Sequence, residues 1–121
     1  MKLKKLAPPL ELCKLIPEGG FEDSALVYLV NIRYGEEKAV VCQRDHIYLN
    51  LEGSIMEIYP APTFEEITEE LGQFTASCYD RGHTIEIATG WDCASADSAV
   101  DGAMKLWLKT KGIKYGKANI R

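Results

Sequence analysis

The chain has 121 residues, 46% apolar and 26% charged, with a formal net charge of −4. These figures exclude a disordered chain and a fibrous repeat, and they supply enough chain to close one hydrophobic core, so a single domain over residues 1–121 is expected. No apolar run approaches the ~20 residues of a membrane helix, and an acidic total argues against nucleic-acid binding over the whole surface.

Lys2, Lys4 and Lys5 imitate the start of a signal peptide, but Pro8, Pro9, Glu11 and Lys14 interrupt any apolar stretch behind them, which points to the cytoplasm. Pro8 and Pro9 suit the first turn of a helix, where a missing N–H costs nothing, and Leu12, Cys13, Leu15 and Ile16 supply its apolar face. A helix over 8–16 is predicted, ended by Pro17 and Gly19-Gly20. From Leu26 to Tyr34 the chain is rich in β-branched and aromatic residues and turns to strict apolar/polar alternation after Val30. A strand, a turn at Tyr34-Gly35-Glu36-Glu37 and a return strand from Lys38 to Cys42 follow.

Gln43 to His46 reads as a turn, and Ile47, Leu49 and Leu51 alternate like a third strand. Ile55 to Tyr59 is a brief extended piece leading to Pro60. Thr63 with Glu66 three residues on forms a capping box for a helix whose Phe64, Ile67 and Leu71 share a face, and Gly72 stops it. A second hairpin joins Phe74–Tyr79 to His83–Thr89 around Asp80-Arg81-Gly82. Gly90-Trp91-Asp92 reads as a loop. A last helix, capped by Ser95 or Asp97, carries Val100, Ala103, Met104, Trp107, Leu108 and Lys111 as one stripe. The order predicts an α+β fold of two layers: one mainly antiparallel sheet of two hairpins, about four to five strands, covered by about three helices. The basic segments 1–6 and 113–121 are expected to be mobile.

Ala7-Pro8-Pro9-Leu10-Glu11-Leu12, Pro60-Ala61-Pro62-Thr63 ahead of an acidic helix, and Ala96-Asp97-Ser98-Ala99 leading into Leu106-Trp107-Leu108-Lys109 together resemble short uncharacterised proteins of prophages and other mobile elements of gut bacteria. The resemblance covers the start of the chain, the middle helix and the closing helix. It implies a small α+β accessory protein of a bacterial cytoplasm and carries no functional residues with it.

Chemistry-bearing residues are sparse. Cys13, Cys42, Cys78 and Cys93 are widely spaced, so reduced thiols rather than a disulfide framework are expected. Cys42 with His46, and Cys78 with His83, bracket predicted turns and offer the sulfur and nitrogen ligands zinc prefers. Their spacing matches neither a zinc knuckle nor a finger, and buried strand positions are the simpler reading, so no cofactor is expected. Cys78 or Cys93 as a nucleophile, with His83 or His46 as base, would also need an oxyanion donor pair that no sequence pattern indicates. Glu65, Glu66, Glu69 and Glu70 read as one solvated helix face. No phosphate-cradling glycine motif occurs.

What remains is recognition. Trp91 follows a loop glycine and suits a partner anchor, and Lys105, Lys109, Lys111, Lys114, Lys117 and Arg121 follow Asp101 with no acid among them. Cations at a helix C-terminus account for part of that run. A non-enzymatic protein-interaction module, self-associating or bound to another protein, is the leading expectation. A nucleic-acid accessory protein using the basic stretch, with Lys105, Lys109, Lys114 and Lys117 as contacts, stands second, and a Cys/His metal protein third.

Overall fold

The computed structural model describes residues 3–33, 36–49, 56–79, 84–90 and 92–115. The chain divides into two units, Met1–Thr63 and Phe64–Arg121, each built on its own three-stranded antiparallel sheet. The α+β class therefore holds, with six strands in two sheets among the described residues in place of the four or five expected in one. Strand pattern dictates which face a residue takes, while the pairing of one hairpin with another is a tertiary choice that leaves no local trace.

In the first unit, α1 is a single turn, Leu10–Cys13, shorter than the helix predicted over 8–16. Pro9 is its N-cap with ψ 148°, an extended conformation, so both prolines precede the helix rather than open it. A residue before proline is driven toward extended backbone, which accounts for Pro8. The Pro8 carbonyl gains another use, accepting from the Tyr28 hydroxyl and ending buried beneath the sheet.

The sheet of this unit has the order β2-β1-β3, with β1 at Leu26–Arg33, β2 at Glu36–Gln43 and β3 at Met56–Pro60. Leu26 to Val30 are buried without a break, as a central strand covered on both faces requires. Leu26, Tyr28 and Val30 pack with Ala7, Cys13 and Ala61, and Leu3, Leu10 and Ile16 close over them. The brief extended piece before Pro60 is β3, which pairs with β1 from Val27↔Pro60 to Asn31↔Met56.

The predicted strand at 47–51 does not form: Arg44–Leu49 is a 3-10 helix, and residues 50 and 51 lie outside the described residues. Arg44 explains the turn. Its backbone N–H donates to Ala25 O at 2.9 Å, and its guanidinium donates to Ser24 O at 2.7 Å and to Ser24 Oγ at 2.9 Å. Those bonds fasten the chain at the foot of β1 just as β2 ends.

In the second unit, α2 spans Phe64–Leu71 and ends where expected, with Gly72 at φ +78° and its N–H donating to Thr68 O. The sheet order is β4-β5-β6, with β4 at Thr75–Tyr79, β5 at Thr84–Thr89 and β6 at Asp92–Ala96. β4 and β5 pair as the second hairpin predicts, its turn at 80–82 lying outside the described residues, whereas β6 occupies residues read as loop and cap. The last helix, α3, spans Ala99–Thr110 and is capped by Ser98, whose Oγ accepts from Asp101 N–H at 3.3 Å. Ser95 and Asp97 are not the cap, because β6 pairing holds the chain extended through Ala96.

Of the predicted stripe on α3, Val100, Ala103, Met104, Trp107 and Leu108 are buried, joined by Gly102 and Leu106. Lys111 instead lies just beyond the helix, exposed, with its ammonium 5.5 Å from the centre of the Trp107 ring. Gly102 brings α3 close to the sheet, since a Cβ there would stand 3.1 Å from Ile87 Cγ1. Ile87, Ala94 and Leu106 form one core cluster of this unit, with Phe64, Leu71, Phe74 and Ile85 around them.

Candidate functional site

Among the described residues, the predicted ligands Cys42, His46 and Cys78 belong to no metal-ligand group. Cys42 is half-buried on β2 in the first unit, and burial pushes its thiol above the ordinary value, away from the thiolate that metal binding or nucleophilic attack requires. His46 is exposed on the 3-10 helix. Cys78 is exposed on β4 of the second unit, opposite Ile85, and His83 lies outside the described residues. Among the described residues no three of His, Cys, Asp and Glu gather as a metal-ligand group. The four cysteines are free thiols, Cys13 buried and Cys93 exposed.

The acidic helix does not present four equivalent carboxylates. Glu65, Glu69 and Glu70 are exposed, as a solvated face requires, and Glu66 is half-buried; Glu70 in addition accepts from the Trp107 indole N–H at 3.0 Å and so braces α2 against α3. Trp107 is buried, and its N–H needs a partner.

The basic residues differ in exposure and engagement. Lys105 is half-buried, Lys109 donates to Cys93 O at 3.3 Å, and Lys114 is exposed. Trp91 and Lys117 lie outside the described residues. A cleft of about 410 Å³ runs beside Ser24, Gln43 and Arg44, but the Arg44 guanidinium there is committed to Ser24, and Ser24 Oγ donates to Leu26 O at 2.7 Å. That polar cluster fastens the first unit. Among the described residues no helix is long and apolar enough to cross a membrane.

The feature that sequence reading did not single out is β4. Antiparallel pairing with β5 runs from Thr75↔Ala88 to Tyr79↔Thr84, so Thr75, Ser77 and Tyr79 share one face, and Ala76 and Cys78 the other. All five are exposed. The reason lies in the helix layer: α3 packs on β5 and β6, burying Ile87 and Ala94, while Ala76 and Cys78 on the same face of β4 stay open. β4 is thus an edge strand of its sheet with two exposed faces, and among the described residues no strand pairs with its outer line of backbone N–H and C=O groups. Tyr79, half exposed at 50%, is its largest side chain, and its hydroxyl donates to Glu86 at 3.4 Å.

The other edge strands are guarded. On β2 stand Glu37 and Lys38, on β3 Glu57 and Pro60, and on β6 Asp92, with Lys109 donating across to the Cys93 carbonyl. Charge and proline on an edge discourage a further strand from pairing. The sequence Thr-Ala-Ser-Cys-Tyr of β4 carries neither.

No protein-family model matches the chain, and no curated protein or solved structure matches it.

Proposed function

We propose that this chain is a non-enzymatic protein-interaction module that adds a partner's strand along β4. The observation that carries the reading is the contrast among its edges: β2, β3 and β6 bear charge or proline, and β4 bears neither while exposed on both faces. Strand addition draws affinity from main-chain hydrogen bonds and selectivity from the side chains that alternate along the edge. Such a role suits an accessory protein of a prophage or mobile element in a bacterial cytoplasm, the setting the sequence resemblance implies. The half-burial of Lys105 and the engagement of Lys109 by β6 give less support to a nucleic-acid surface.

Ser77→Lys tests this reading. Ser77 lies opposite Glu86 on β5, so a lysine there pairs across the strands and keeps β4 in place while charging the edge. Wild type and variant are used as baits in cytoplasmic extract. A protein retained by wild type and lost with the variant is expected; equal retention by both would place the partner elsewhere and sink the reading.

A further inference from the structure

The occupant of β4 can be named from the strand itself. We infer that β4 pairs antiparallel with β4 of a second copy of this chain, about a two-fold axis at Ser77, joining two three-stranded sheets into one of six strands. The inference rests on the reading of β4 as a docking edge.

An antiparallel strand meeting its own copy is the closed, self-complementary solution to an open edge, and three properties of β4 suit it. It has no charge, so self-pairing brings no like charges together, whereas an edge selected for a charged peptide would carry the opposite sign. Centred on Ser77, the pairing sets Tyr79 of each protomer opposite Thr75 of the other, an aromatic and β-branched pair of the favourable kind. It also sets Ala76 opposite Cys78, gathering small apolar groups on the face that α3 leaves open on β4. The strand is short, so the contact belongs with the small, weak interfaces and forms as concentration rises through the micromolar range.

Sedimentation equilibrium of the purified full chain reads the association, and circular dichroism checks folding. Wild type is expected to pass from monomer to dimer with concentration, Ser77→Val to keep that behaviour, and Ser77→Lys, which sets two like charges face to face at the axis, to remain a folded monomer. A second measurement covers the case in which Ser77→Lys fails to fold. In a Cys78→Ser, Cys93→Ser background, Ser77→Cys brings a thiol against its own copy and is expected to form an intermolecular disulfide on mild oxidation, while Glu11→Cys in the same background is not.

Wild type that stays monomeric throughout overturns self-pairing, as does a folded Ser77→Lys that dimerises like wild type, or a Ser77→Cys chain that cross-links no better than the control. Extract capture then separates the two readings. A heterologous protein held by wild type and lost with Ser77→Lys keeps β4 as a docking edge for another chain, and the absence of any such protein removes the docking edge as well.

Discussion

The indole N–H of Trp107 on α3 donates to the carboxylate of Glu70 on α2 at 3.0 Å. Trp107 is only 3% exposed, so this bond satisfies a polar atom that folding takes out of water, and it fixes α2 relative to the helix covering β5 and β6. Glu70→Ala leaves the N–H without its acceptor and is expected to lower stability by about 1 kcal/mol. Thermal unfolding followed by tryptophan fluorescence checks it. Glu69→Ala, at an exposed neighbouring position, is expected to be silent.

Gly102 is where α3 comes closest to β5. Ile87 is fully buried, and a Cβ at position 102 would stand 3.1 Å from its Cγ1, so its side chain would have to give way. Gly102→Val is therefore expected to cost about 1–3 kcal/mol through overpacking. Gly102→Ala sets a gain in helix propensity against a smaller clash and should cost markedly less. Urea unfolding of both variants gives the comparison.

On the first unit, Lys14 just beyond α1 meets Glu37 of β2 at 2.6 Å and lies 5.8 Å from the ring of Tyr59 on β3. The hydrogen bond to Glu37 raises the Lys14 pKa; burial, then the hydrogen bond to Glu57, raises that of Tyr59. Both groups hold their protons more tightly when folded, so the unfolded chain releases protons first as pH climbs. Their contribution is fully present below the ordinary tyrosine value of 10.0 and is lost as pH rises through the folded values. Melting temperatures measured from pH 8 upward should fall in that alkaline window, and less steeply in a Lys14→Met, Tyr59→Phe double variant.

Ser24 is the buried polar side chain at the foot of β1, donating to Leu26 O and accepting from Arg44. Ser24→Ala leaves a guanidinium N–H and a carbonyl with fewer partners, and a loss of about 1–3 kcal/mol is expected in chemical denaturation. Because this bond network turns the chain out of β2, faster amide exchange over Arg44–Leu49 should accompany the loss.

How much of this was legible in the sequence depended on whether the signal was local. The unbroken run from Leu26 to Val30, the stop at Gly72 and the turn at 80–82 between two alternating segments are near-neighbour patterns, and the strands and helix they announce are present. Asp92–Ala96 was missed because cysteine, alanine and serine have little strand preference and a serine before a helix resembles a cap. The residues from Ile47 onward misled because alternation was read without Arg44, whose bonds to Ser24 span twenty positions. The candidate site was hidden for a related reason. Thr75 to Tyr79 read only as a strand; its importance comes from where α3 stops covering the sheet, a property of packing.

The central claim is that β4 is the edge on which a partner strand docks. Hydrogen–deuterium exchange compares the associated chain, either concentrated or bound to a captured protein, with the dilute free chain. The account predicts slowed exchange centred on residues 75–79, where free backbone groups become paired. Unchanged exchange across β4, with new protection over the basic stretch from Lys105 to Lys114, would contradict it and bring the nucleic-acid reading forward.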